Sequence, residues 1–362
     1  MTNQNSDTQA RGIGRRAFLA GAAMSPGALS ALAYPVLDSP ASPGSPPLPS
    51  RADKSNAHKT LCGPFIPVLT HFNRDLSLDL VALKENLRYL VEHGIRNGSG
   101  VLLIGGAGGE FPMLSIEERR AVARAAVETV EGRAPIVIGA QSTDQRAVLE
   151  MAQLAEDLGA YAIQVSPPYY YQPSDEDVLR WFRTANDSLK KTGVMVYNTY
   201  WHGYNFPLEV LDQVIELDRV VSVKWSTPYG GLDYMQGVAR YAPKVAVVDN
   251  ALMWPVTYSL GGTGFVTHLG TVWPECVLEI HGMLKSGKYQ EATEAMQAKK
   301  WPWADFRGKM SKRTGGEAPP VKCALELRGR PGGPVRPPSR DLNPQEREEL
   351  RTLLTRLGVP AG

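Results

Sequence analysis

The chain has 362 residues, 43% of them hydrophobic, and a formal net charge of +2. The apolar content is ample for a large core, and the near-even charge gives no electrostatic case for a nucleic-acid partner. Cys62, Cys276 and Cys323 stand far apart, with no C-x-x-C or Cys/His spacing. Neither a zinc site nor a disulfide framework is indicated, and the three read as small buried hydrophobes.

At the amino terminus, Arg15-Arg16-Ala17-Phe18-Leu19 leads into an apolar, small-residue stretch that ends in Ala31-Leu32-Ala33. Paired arginines, a segment too short to span a bilayer and an A-x-A-like cleavage site are the parts of a twin-arginine export signal. Residues 1–33 are therefore expected to be a signal peptide. The mature protein is expected to be periplasmic or otherwise extracytoplasmic, with no membrane attachment. A basic tail on a cytoplasmic protein is the alternative. Residues 34–61 are expected to be a Pro/Ser-rich linker, unstructured from Pro35 to Lys54.

From residue 62 short apolar runs alternate with amphipathic stretches. Strands are expected over Phe65–Thr70, Gly100–Ile104, Pro135–Ile138, Ala162–Val165, Val194–Tyr197, Val220–Lys224, Val245–Val248 and Gly264–Thr267. Helical patterns lie between them, near Asp79–Glu92, Ser115–Val130, Asp144–Leu158, Asp175–Lys190, Leu208–Leu217, Leu232–Tyr241 and Leu252–Leu260. Ser115-Ile116-Glu117-Glu118 and Pro173-Ser174-Asp175-Glu176 are helix openings. Eight strands alternating with helices predict a (β/α)8 barrel over 62–285, with an open doubly wound sheet as the alternative. Residues 286–362 read as a C-terminal helical region; from Val272 onward helices are expected over Glu275–Lys285, Tyr289–Ala298, Pro320–Leu327 and Pro344–Leu357. The segment Gly329–Pro338 is too rich in Gly and Pro to be helix or central strand.

In a barrel, the carboxyl ends of the strands face the active-site mouth. Lys224 ends Val220-Val221-Ser222-Val223-Lys224. Strand alternation puts Ser222 and Lys224 on one face and Val221 and Val223 on the other. A lysine desolvated there loses its proton readily and becomes a nucleophile for a carbonyl. Tyr197 ends the neighbouring strand, where its phenol can relay protons. The loop Gly105-Gly106-Ala107-Gly108-Gly109 is either a tight turn or a cradle for a carboxylate. Asp249 could accept hydrogen bonds from substrate hydroxyls or cap the following helix. Of Tyr169, Tyr170 and Tyr171, some should meet a partner chain or the site.

Pro64-Phe65-Ile66-Pro67-Val68-Leu69-Thr70, Gly109-Glu110-Phe111-Pro112-Met113-Leu114-Ser115, Pro168-Tyr169-Tyr170, Tyr197-Asn198 and Val223-Lys224 occur in this order. With Gly333-Pro334-Val335-Arg336-Pro337-Pro338 near the carboxyl end, the set resembles the dihydrodipicolinate synthase / N-acetylneuraminate lyase family over roughly Gly63 to Gly358. The resemblance implies a (β/α)8 barrel with a C-terminal helical extension, assembled as a homo-oligomer, a tetramer or a dimer. It implies Lys224 as the Schiff-base lysine, Tyr197 as the proton-relay tyrosine and Tyr170 as the tyrosine that reaches a neighbouring subunit's site. Gly106, Ala107, Gly108 and Gly109 match the loop that holds the carboxylate of a 2-oxo acid. Val266 matches a pocket-lining position on the eighth strand.

Two departures stand out. Many members carry a hydroxyl pair where this chain has Ala107-Gly108. The synthases place an arginine after Tyr-Asn, where this chain reads Thr199-Tyr200-Trp201-His202-Gly203. The expected function is a Schiff-base-forming lyase, aldolase or dehydratase, acting on a 2-oxo acid such as pyruvate or a deoxy-oxo sugar acid. A barrel that binds a sugar acid without turnover is the alternative. An electrophilic iminium needs no metal, and no cofactor is expected. With no arginine after Tyr-Asn, and with His202 and Asp249 taken as pocket residues, a polyhydroxylated or neutral-tailed substrate is expected.

Overall fold

The structure, a computed structural model, describes residues 48–360, so the expected signal peptide lies outside the described residues. A helix, α1 (Lys54–Thr60), comes first. Then follow β1 (Gly63–Pro67), α2 (Leu80–Glu92), β2 (Val101–Ile104), α3 (Ile116–Val130), β3 (Ile136–Gly139), α4 (Gln145–Asp157), β4 (Ala162–Val165) and α5 (Asp175–Asp187). The chain continues through β5 (Gly193–Tyr197), α6 (Leu208–Ile215), β6 (Val220–Trp225), α7 (Gly231–Tyr241), β7 (Ala246–Asp249), α8 (Trp254–Ser259) and β8 (Gly264–Val266). The strands are parallel and close into a barrel in chain order, with β8 paired to β1.

The expected strands form because each is an apolar run covered on both faces, as parallel strands between helices must be. One set of side chains, including Val101, Val137, Ala162, Met195 and Val248, fills the barrel interior. The other set, including Ile66, Ile104, Ile138 and Val223, packs under the helices. The two helix openings act as read: Ser115 and Ser174 each complete a reciprocal capping box.

Strict alternation fails along β6. Val221 packs inward beside Met195, whereas Val223 packs outward. The register with β5 slips between Val194 and Met195, so that Val194 pairs with Val220 but Met195 with Ser222. The extra residue re-aims the end of the strand, as bulges beside active sites do, and Lys224 still reaches the mouth.

The expected linker does not run to residue 61, because a helix begins at Lys54. Asp53 caps α1 with a reciprocal capping box, and Ala57 and Leu61 are fully buried in the interior cluster. Lys54 Nζ donates to the Ile215 carbonyl at 2.7 Å, His58 Nε2 lies 2.7 Å from the Ala242 carbonyl, and Thr263 Oγ1 donates to the Leu61 carbonyl at 2.7 Å. The helix closes the floor of the barrel. Its polar sequence hid this, because Ala57 and Leu61 are the only apolar side chains of the stretch Lys54–Leu61 that enter the interior cluster.

After β8 come α9 (Leu269–Val272), α10 (Pro274–Lys285), α11 (Tyr289–Ala295), α12 (Trp301–Thr314), α13 (Ala318–Leu327) and α14 (Pro344–Leu357). α12 was not anticipated, because Trp301-Pro302-Trp303 reads as a break. The chain passes the proline by widening into a π turn, Met296–Lys300, in which Trp301 N–H bonds to the Met296 carbonyl. α13 is tied to the glycine loop by Lys322, whose Nζ lies 2.6 Å from Glu110 Oε2. Glu110 also receives the Arg336 N–H at 3.3 Å.

Candidate active site

Tyr197 and Lys224 are register partners at the ends of β5 and β6. Lys224 Nζ lies 3.7 Å from the Tyr197 ring centroid and 3.5 Å from Gln164 Oε1 on β4. Burial pushes the Lys224 amine down to about 7, against the opposing pull of Glu317. Near neutral pH much of it is therefore the free amine, the form that attacks a carbonyl. Burial, with Glu317 adding to it, holds the Tyr197 phenol well above its usual range, so it stays protonated.

Both side chains open into a cavity of about 350 Å³, lined also by Gly106, Ala107, Gly108 and Val266. Gly109 sits one turn behind: it is buried, and its carbonyl accepts Thr70 Oγ1 at 2.7 Å. A side chain at position 108 would bring its Cβ within 2.8 Å of His268 Nε2. The space that a hydroxyl residue would take there is filled by His268, which pairs with Glu317 Oε2 at 3.2 Å. Burial pushes the His268 imidazole down to about 4. Burial alone would raise the Glu317 carboxyl, but His268, Arg307 and Lys224 outweigh it and hold Glu317 well below the usual carboxylate range.

Asp249 and His202 lie elsewhere, and Tyr170, expected at a neighbouring subunit's site, lies outside this chain's own cavity. Asp249 does not face the cavity. Its neighbour Val248 points into the barrel, so Asp249 points outward among the helices. There it is fully buried and accepts Tyr234 Oη at 2.7 Å, Thr257 Oγ1 at 2.8 Å, Ala251 N at 2.7 Å and Met253 N at 2.9 Å. It organises the chain into α8 and binds no substrate hydroxyl. His202 is exposed outside the cavity lining, its ring 5.8 Å from that of Tyr169; Trp201 reaches the cavity in its place. Tyr170 is 85% exposed, away from the cavity of its own chain.

Gln164, Asn250, Thr267, His268, Lys300, Arg307 and Glu317 line the cavity and were not anticipated. Gln164 carries a legible signal, a polar residue in the middle of a buried strand. Lys300, Arg307 and Glu317 carry none, since they sit on the unpredicted helix and the start of the next. Among the described residues no group of three or more His, Cys, Asp or Glu is placed to hold a metal ion.

The dihydrodipicolinate synthetase family model matches residues 60–357. The chain belongs to the dihydrodipicolinate synthetase family. It is 32% identical over 287 residues to 4-hydroxy-tetrahydrodipicolinate synthase 1 of Halalkalibacterium halodurans, covering 78% of this chain and 92% of that one. Among solved structures it is similar to YagE, a prophage protein of the dihydrodipicolinic acid synthase family from E. coli K12, in complex with pyruvate. That likeness has a TM-score of 0.74 and 26% identity, over 82% of this chain and 99% of that one. CdNal from Clostridium difficile, in complex with mannosamine, shares the fold, with a TM-score of 0.73 and 19% identity over 82% of this chain and 99% of that one. Membership makes this chain a class I, Schiff-base-forming lyase acting on a 2-oxo acid. Binding without turnover is not favoured.

Proposed function

We propose that Lys224 is the Schiff-base lysine and Tyr197 its proton-transfer partner. The observation that carries this is a buried amine at about 7 set 3.7 Å from the Tyr197 ring centroid in the strand-end cavity. The neutral amine attacks the ketone carbon of the 2-oxo acid, whose carboxylate lies against Gly106, Ala107 and Gly108. Tyr197 gives its proton to the departing hydroxyl, water leaves and an iminium remains. The phenolate recovers a proton from the carbon next to the iminium, leaving an enamine. In dehydration that enamine expels a hydroxyl one carbon further on; in retro-aldol cleavage the iminium instead accepts the electron pair of the C–C bond while the phenolate takes the proton of the hydroxyl on the departing carbon, so one site serves either reaction. His268 fills the space of the hydroxyl missing at position 108, and Glu317 acts electrostatically on both reacting groups.

Borohydride trapping tests the assignment. Treatment with pyruvate and borohydride is expected to leave a reduced adduct on the peptide containing Lys224, read by mass spectrometry. No adduct with pyruvate, 2-oxoglutarate or a 3-deoxy-2-oxo sugar acid would refute it.

The enzyme is further proposed to be an exported homo-oligomer. Tyr170 and its neighbour Tyr171, 85% and 81% exposed, support an interface. Arg15-Arg16 and Ala31-Leu32-Ala33 support export. Amino-terminal sequencing of the mature protein should begin near Tyr34, and joint Arg15→Lys and Arg16→Lys substitution should hold the precursor in the cytoplasm. An unprocessed wild-type protein that begins at Met1 or Thr2 overturns the signal.

A further inference from the structure

One wall of the cavity is supplied by no barrel strand. It is the face of α12 and of the π turn before it, which presents Lys300, Ala304 and Arg307. The spacing is i, i+4, i+7, a single stripe. Lys300 is 3% exposed, and among the described residues its ammonium has no hydrogen bond or ion pair; the Trp254 ring centroid lies 5.6 Å away. Arg307 has one loose carboxylate, Glu317 Oε1 at 3.6 Å, and its buried Nε–H has no acceptor. Lys322, the other buried lysine of the C-terminal helices, has Glu110 at 2.6 Å. A buried ammonium left unpaired costs stability unless something entering the site pairs with it. Between the two cations Ala304 has only a methyl group, which leaves room over the stripe for a small ligand group.

The charges agree. With the iminium formed, Arg307 and the iminium are positive, Glu317 and the first carboxylate of the 2-oxo acid are negative, and His268 is neutral. Burial lowers the Lys300 amine to about 7, so it holds its proton readily only when an anion enters beside it. Protonated Lys300 is then the one positive charge without an opposite.

We propose that Lys300, Ala304 and Arg307 form the subsite for a second carboxylate, so that the substrate is a 2-oxo acid with a carboxylate at its far end. The inference rests on the Schiff-base reading for placing the ketone end. It reverses the neutral-tail expectation: the cation missing after Tyr197-Asn198 is supplied from the C-terminal helices, and Asp249 exerts no repulsion from within the cavity.

The test compares 2-oxoglutarate and 2-oxoadipate with 2-oxovalerate and 2-oxohexanoate, in which a methyl replaces the far carboxylate. Dissociation constants come from calorimetry on the full chain, and adducts from borohydride trapping. The wild type is expected to prefer at least one diacid over its isostere by about 10–100-fold, the range for a charge-assisted pairing. In Lys300→Met that ratio should fall below about 3. Arg307→Met gives the same readout should Lys300→Met fail to fold. Equal affinities within both pairs, or a ratio that survives in the variant, overturn the subsite. Adducts with equal affinities would sink the subsite and leave the Schiff base standing. A wild-type preference for the diacid that is lost in Lys300→Met, with no adduct from any acid, would do the reverse.

Discussion

Lys224→Ala loses borohydride adduct formation and turnover together while the barrel stays folded. The side chain is 6% exposed, and its hydrogen-bond partner is Gln164 Oε1 at a long 3.5 Å. Little structural bonding is lost with it. The sign of the stability effect follows from the amine. Its folded-state pKa is about 7, below the ordinary 10.5. The fold is therefore penalised at any pH below about 10, and the penalty reaches full size below about 7. Removing the amine lifts that penalty and offsets the packing lost with the side-chain stem. Thermal unfolding of the variant near pH 6 is expected within a few degrees of wild type, or higher. In the wild type, adduct formation should speed up as pH rises through about 7 and then level off, because the neutral amine is the nucleophile. An adduct in Lys224→Ala, or a rate that falls across that window, overturns the assignment.

Tyr197→Phe still traps pyruvate but turns over more slowly by about 10²–10⁴-fold, the usual cost of a lost proton-transfer group. The phenyl ring keeps its place over the Lys224 amine, and the lost atom is the phenol oxygen, which interacts with Asn250. Because water must leave the carbinolamine without that donor, the adduct forms slowly but goes to completion. Steady-state turnover against the time course of trapping separates the two effects. A variant that turns over at the wild-type rate removes Tyr197 from the chemistry.

The barrel was legible because parallel strands buried on both faces read as near-continuous Val, Ile and Leu, and because Ser115 and Ser174 mark helix starts. Lys224 and Tyr197 were legible because strand ends define the mouth. Asp249 was misplaced for want of counting one residue further: with Val248 inward, its neighbour must face the helices. The C-terminal wall was illegible for a different reason. Pro302 between two tryptophans denies a regular α-helix, and only a π turn, which local pattern does not announce, lets the chain continue and bring Lys300 and Arg307 over the barrel. Gly108 likewise looked like a lost hydroxyl, because nothing local reveals that His268, distant in sequence, fills its space.

Helix α1 is the first described element to be synthesised and among the last that can find its place. Its carbonyl partners at Ile215 and Ala242 lie 161 and 184 residues further along the chain, and the hydroxyl of Thr263 that bonds Leu61 lies 202 residues beyond it. None of these contacts can exist until the chain has been made to Ile215, Ala242 and Thr263, which stand just before β6, β7 and β8. The floor is thus a high-contact-order closure, paid for in loop entropy only after the wall is complete. A barrel with a strand missing or out of register offers α1 no seat, and docking of this short helix becomes a checkpoint on whether the whole circle of strands has formed.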